Sequence, residues 1–214
     1  MVDGLQEGEW LIYYESGQLK TKINYKIGKM HGAYMFYNED GSKLYEGSYI
    51  EGEEDGLWIT YGEGKISRKK AFKKGEAHGI FEAYYTTGQL RETGFHKDGK
   101  KHGSCFFYHL NGQLAQKGKA ENDLQIGIWE TYHDNGQLRN KILYVDGKKD
   151  GLWISYDKEG DKLKEGQYAS GIKISEWLVY HKNGQIRSKC VYKNGQIQDG
   201  ISYFDEQGTF LYKF

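Results

Sequence analysis

Gly127-Ile128-Trp129-Glu130-Thr131-Tyr132-His133-Asp134-Asn135-Gly136-Gln137-Leu138 is the stretch whose reading decides the fold. A glycine opens it, tryptophan follows two places later and tyrosine five places later. Asn135-Gly136 then interrupts the run. That dipeptide between strand-like segments is a strong hairpin signal, because both residues tolerate positive φ. Beyond the turn, Leu138, Asn140, Ile142 and Tyr144 occupy every second position, the period of a strand with two unlike faces. Asp146-Gly147 begins a second turn that returns the chain to Gly151, where the pattern restarts.

Outward from this copy the pattern covers the chain. Marker glycines stand at Gly8, Gly32, Gly56, Gly79, Gly103, Gly127 and Gly151, and Ser175 and Gly200 continue the series at spacings of 23 to 25. Two places after the markers stand Trp10, Tyr34, Trp58, Phe81, Cys105, Trp129, Trp153 and Trp177, which include every tryptophan. Five places after them stand Tyr13, Tyr37, Tyr61, Tyr84, Tyr108, Tyr132, Tyr156 and Tyr180. Self-similarity at this period marks a repeat array in which each unit buries its apolar side chains against its neighbours. The expectation is an all-β chain of tandem antiparallel β-hairpins of about 24 residues, forming one elongated, twisted, single-layer sheet. It comprises a partial unit at 1–7, eight repeats over 8–199 and a C-terminal capping hairpin at 200–214.

Three residues separate the tryptophan from the tyrosine of each unit, so the two rows face opposite sides of the sheet. The tyrosine row reads as a structural ladder. The row of Trp10, Tyr34, Trp58, Phe81, Trp129, Trp153 and Trp177 reads as the candidate binding face, since Tyr and Trp are preferred interface anchors and a single layer leaves its faces uncovered. Units two and seven carry Leu44 and Leu163 one place late, which suggests a longer turn offset by a bulge. The fifth unit lacks the last glycine, with Asp123 in its place, and is the expected irregular point.

Composition narrows function. Thirty Lys and Arg balance thirty Asp and Glu, removing the electrostatic motive for nucleic acid or an anionic membrane. No apolar run is long enough to cross a membrane as a helix. Proline is absent and there are 19 tyrosines in 214 residues, so the chain reads as ordered despite a mean hydropathy of −0.83. His31, His78 and His102 precede markers, and His109, His133 and His181 follow the repeat tyrosine. Equivalent positions of successive hairpins lie two strands apart, roughly 10 Å, too far to share a zinc ion. These histidines are read as solvent-facing repeat positions. Cys105 fills a tryptophan slot, and neither cysteine sits in a nucleophile motif. No catalytic constellation, phosphate loop, cofactor fingerprint or metal site emerges.

The string G-x-W-x-x-Y-x-x-x-G-Q-L, best seen from Gly127 to Leu138, resembles the MORN-repeat variant family across essentially the whole chain. The resemblance implies successive antiparallel hairpins. Bacterial members are commonly labelled YwqK-like antitoxins, and eukaryotic relatives are associated with membranes, lipids or protein assembly. No site residue carries over, because the family pattern is structural. The expectation is a non-enzymatic scaffold for a protein partner, antitoxin- or immunity-like. The alternative is an exported or surface module binding glycan, peptidoglycan or lipid headgroups. Val2-Asp3-Gly4 matches Val145-Asp146-Gly147, so the chain begins in mid-repeat and an upstream segment is expected. Both a cytoplasmic location and export with a removed leader fit, and so does self-association through the N-terminal edge.

Overall fold

The computed structural model describes residue 1 and residues 4–214, so the match at Val2 and Asp3 lies outside the described residues. The described residues contain strands and turns but no helix, and every strand pairing is antiparallel. The all-β hairpin array expected from the repeat is the fold observed. The chain divides into two compact units, Met1–Gly103 and Ser104–Phe214. In the second unit Leu124–Tyr132 pairs with Leu138–Val145, which pairs in turn with Lys148–Tyr156 and so on to Ile186–Lys193. The first unit follows the same plan, as in Gly8–Tyr13, Leu19–Lys26 and Lys29–Tyr37.

The two turns of each repeat exchange the geometries that their sequences suggest. In the Asn-Gly turn, the His133 amide donates to Gln137 O at 2.8 Å and the Gly136 amide to His133 O at 3.0 Å. Only Gly136 has positive φ there, at 86°. This is a three-residue loop, a type I turn followed by a left-handed glycine, with the attendant register shift at Thr131/Tyr132. The two-residue type I′ turn is the other one. Asp146 and Gly147 have φ of 48° and 75° between the paired Val145 and Lys148. The fifth unit keeps this turn without glycine, using Asn122 at 49° and Asp123 at 69° between Glu121 and Leu124. Asn and Asp tolerate that region better than other side chains do. Units two and seven also keep the common turn length. Asn38 N donates to Ser42 O, and Tyr37 pairs with Lys43 as Tyr13 pairs with Leu19. Lys43 and Lys162 therefore fill the leucine slot, and no longer turn is present.

The marker glycine has a specific task. Lys117 pairs with Glu130 and Lys119 with Ile126, so Gly118 alone opposes Gly127, Ile128 and Trp129. Lys141/Ile154 and Leu143/Asp150 repeat the arrangement around Gly151. Markers that follow a paired strand sit at this bulge with positive φ, 66° at Gly127 and 70° at Gly151, a conformation that Cβ disfavours. Ser175 is the exception, held at 58°.

The bulge lays the indole across the preceding strand. A Cβ on Gly118 would lie 2.1 Å from the Trp129 ring, and Gly47 and Gly166 meet Trp58 and Trp177 in the same way at 2.3 and 2.2 Å. The core of the second unit is accordingly Cys105, Ala120, Trp129 and Ile142, with Phe107, Tyr144, Trp153 and Tyr168 packed around it. Ring pairs extend the ladder, Trp153 stacking on Trp177 at 5.5 Å and Tyr168 meeting Trp177 edge-on at 5.1 Å. The C-terminal strands Ser202–Phe204 and Phe210–Lys213 form one more hairpin with the repeat's own loop, Asp205 N donating to Thr209 O.

Gly118→Ala is expected to lower the denaturant midpoint by the equivalent of about 1–3 kcal/mol, the cost of overpacking. Gly62→Ala, whose added methyl meets Ser67 at an ordinary 3.7 Å, should stay within about 0.5 kcal/mol of the parent. Urea unfolding of the two variants followed by tryptophan fluorescence checks this.

Candidate functional site

Within each unit the sheet has an indole face and a tyrosine face. On the indole face, Phe81, Trp129 and Trp177 are 6%, 4% and 8% exposed, while Trp10, Tyr34, Trp58 and Trp153 are half-buried. The Trp129 Nε1–H donates to Lys119 O at 3.1 Å. A single layer thus buries much of this row sideways, between neighbouring rungs and against bare backbone. The row read as a candidate binding face is packed most tightly in its best copies. Cys105, in the same slot, is 1% exposed, and burial pushes the Cys190 thiol pKa up.

The tyrosines lie on the other face. Tyr132 Oη donates to Glu130 at 2.8 Å, Lys117 reaches the same carboxylate at 3.0 Å, and its Nζ sits 5.5 Å from the Tyr132 ring centroid. Tyr61 with Glu46 and Lys43, Tyr84 with Glu82 and Lys69, and Tyr180 with Glu165 and Lys162 repeat the triad. Tyr37, Tyr108 and Tyr156 are half-buried and Tyr13 is exposed. The triads hold the carboxyls of Glu82, Glu130 and Glu165 below the usual range, chiefly through the tyrosine hydroxyl, and that of Glu46 chiefly through Lys43.

One feature of this face escaped the sequence reading. The residue directly after the marker points to solvent on the tyrosine side, and it is Leu57, Ile80, Ile128 and Leu152, each 51–61% exposed. Ile128 pairs across the strands with Leu143, and Ile80 with Phe95. In the second unit Ile128, Leu143, Leu152, Ile154 and Tyr156 line an open groove of about 470 Å³, with Lys141 beside them. The signal was available as the apolar residue at the first place after four markers.

Three of the six repeat histidines are fasteners rather than solvent-facing positions, and His31 and His78 are half-buried beside Glu51 and Asp98 at 3.7 and 3.4 Å. His109, His133 and His181 each place Nε2 2.9–3.0 Å from the carbonyl of Tyr132, Tyr156 and Phe204, one repeat further on. A carbonyl only accepts, so Nε2 carries the proton. Tyr14 Oη makes the same link to Tyr37 O at 2.7 Å. Asn111, Asn135 and Asn183 add a parallel row to the carbonyls of Asp134, Lys158 and Glu206. Among the described residues no group of three or more His, Cys, Asp or Glu is arranged to hold a metal ion, and no helix is long and apolar enough to cross a membrane.

The depressed carboxylates set the acid limb of stability. Each folded-state pKa lies below the unfolded value of 4.5, so the contribution is complete above that value, fades below it and is gone once pH has fallen through the lower, folded-state pKa. Stability is expected to hold from neutrality to about pH 5 and to decline towards about pH 3. Glu130→Gln should shrink that decline, as measured by urea midpoints across the range.

The family model of the MORN repeat variant matches residues 6–26, 30–51, 77–98, 101–122, 125–146 and 175–194. No curated protein matches at the level of sequence. Among solved structures, the TarM protein of S. aureus is similar at 10% identity and a TM-score of 0.32, over 56% of this chain and 21% of its own. A TcdB2-TccC3-Cdc42 structure is similar at 12% identity and a TM-score of 0.25, over 94% of this chain and 14% of its own. A porin-like protein of Bacteroides uniformis is similar at 10% identity and a TM-score of 0.21, over 90% and 93%. The chain therefore spans about a fifth or less of the first two, and likenesses this weak say nothing of activity. The six family matches together cover more than half of the sequence, and the chain belongs to the MORN repeat variant family, a family of non-catalytic repeats.

Proposed function

We propose that this chain is a non-enzymatic scaffold that binds a protein partner through its tyrosine face. The observation that carries the reading is the recurrence of half-exposed Leu57, Ile80, Ile128 and Leu152 at one repeat position. Folding does not require them there, since Ala33, Ser104 and Glu176 occupy the same place in other units. Apolar anchors beside a row of tyrosines, with Lys and Glu around them, match the composition of interface cores and rims. The indole row on the opposite side then serves as the rigid support. An antitoxin- or immunity-like role, with a toxin as the sequestered partner, is the finer form of this reading and rests on the resemblance to YwqK-like antitoxins. Burial of Trp129 and Trp177 favours a protein partner over a glycan, which needs exposed ring faces to stack on.

Ile128→Lys with Leu152→Lys is expected to weaken capture of the partner by on the order of a hundredfold, about tenfold for each anchor lost. Circular dichroism and the urea midpoint should remain unchanged. Trp10→Ala should retain binding. The partner to assay first is the product of the neighbouring gene, by co-purification and titration. Undiminished binding by the folded double-lysine variant would overturn the choice of face.

A further inference from the structure

The third repeat breaks the pattern of the indole face, and nothing in the packing asks it to. Its second strand, Lys65–Lys73, carries Arg68 and Lys70 where the first unit has Thr21 and Ile23 and the sixth has Asn140 and Ile142. The Lys70 slot lies directly across from the ladder rings, pairing with both Trp58 and Phe81. Elsewhere that slot holds Ile, Cys or Gly. A flexible cation in a position that folds best with a small or apolar residue points to a use other than packing.

The surroundings agree. Arg68, Lys70, Phe81, Glu92, His96 and Lys101 line a groove of about 210 Å³. Through Arg68 and Lys70 it adjoins a second groove of about 370 Å³ walled by Tyr34, Tyr49, Trp58 and Phe72, with Glu54 its one carboxylate against the two cations. Glu92 is matched by Lys101 at 2.5 Å. Arg68 and Lys70 have no carboxylate within ion-pair distance among the described residues, and Lys70 rests only over the Phe72 ring at 5.0 Å. Phe81 and His96 pack against each other beside them, ring centroids 4.5 Å apart and planes tilted by 54°, with Lys101 Nζ over the buried Phe81 ring at 5.1 Å.

We propose that this groove is a second binding site, distinct from the apolar anchors of the tyrosine face, and that it takes an extended acidic peptide segment of a protein. Arg68 and Lys70 are two residues apart on one strand face, about 7 Å. Carboxylates at alternate positions of an extended peptide have the same spacing, so a strand of Glu-x-Glu character lying along Lys65–Lys73 meets both cations. The planar guanidinium of Arg68 takes one carboxylate in a two-pronged contact, and the half-buried rings of Trp58 and Phe72 in the adjoining groove take an apolar side chain next to it. A membrane surface is the poorer match, because headgroup recognition uses clusters of about four to eight cations and the chain has no net charge to draw it there.

The test uses the full chain and a fluorescein-labelled peptide of alternating Glu and Phe, followed by anisotropy. Saturable binding that weakens with added salt is expected, together with a loss on the order of tenfold or more in Arg68→Glu/Lys70→Glu. Arg68→Thr/Lys70→Ile restores the residues that the first repeat uses in these slots. It should fold as the parent does and lose the same binding. Ile128→Lys/Leu152→Lys should bind this peptide normally, which separates failure of this site from failure of the tyrosine-face reading. Equal binding by the Thr/Ile variant, equal binding of a Lys-Phe peptide, or a preference for phosphatidylglycerol vesicles over the peptide would overturn the proposal.

Discussion

The structure depends on one contact, an indole or equivalent ring lying on a strand position that offers no side chain. Gly47, Gly118 and Gly166 provide that bare backbone for Trp58, Trp129 and Trp177. The contact exists only because the marker residue enters the left-handed region and lets three residues of one strand oppose one of its neighbour. A chain with only 37% apolar residues buries a core this way without a second layer. The large flat rings supply area, and the repeat supplies neighbours on both sides. Trp58, seated on Gly47, and Trp153, where the preceding strand brings Ile142, are half-buried, while Trp129 and Trp177 are buried.

Once the rings have taken one face, the character of the other follows. Side chains alternate along a strand, so the residues flanking each tryptophan must point away from the core. They carry the Tyr-Glu-Lys triads and the half-exposed Leu and Ile row. Exposed pairs of this kind add little stability singly, but they fix the lysines and glutamates around the apolar strip. The loops contribute in the same repeating manner, with His or Tyr and Asn side chains tying each Asn-Gly turn to the next.

Much of the fold was legible because its signals are local and periodic. The 24-residue spacing, the strand alternation and the opposition of Trp129 to Tyr132 all follow from counting. The turn types were not, because Asn135-Gly136 suits a type I′ turn and a type I turn with a left-handed glycine equally well. The choice depends on the pairing register beyond it. The role of the marker glycine was hidden for a similar reason, since a bulge is a relation between two strands. Burial depth was the largest gap at the candidate site. Parity says which side Trp129 takes, but how deeply the ring sinks depends on what the adjacent strands bring, the bare Gly118 beneath it and the rings of Phe107 and Tyr144 beside it. The histidines were judged by the distance between strands, which excluded a shared metal but overlooked how far a side chain reaches from one turn to the next.

The central claim is that the indole row is a core rather than an open groove. Hydrogen exchange at the indole N–H groups of the five tryptophans, resolved by nuclear magnetic resonance on protein labelled with ¹⁵N-tryptophan, tests it most directly. The account predicts that Trp129, bonded to Lys119 O, and Trp177 exchange orders of magnitude more slowly than Trp10. Exchange of all five at the rate of free tryptophan would contradict it.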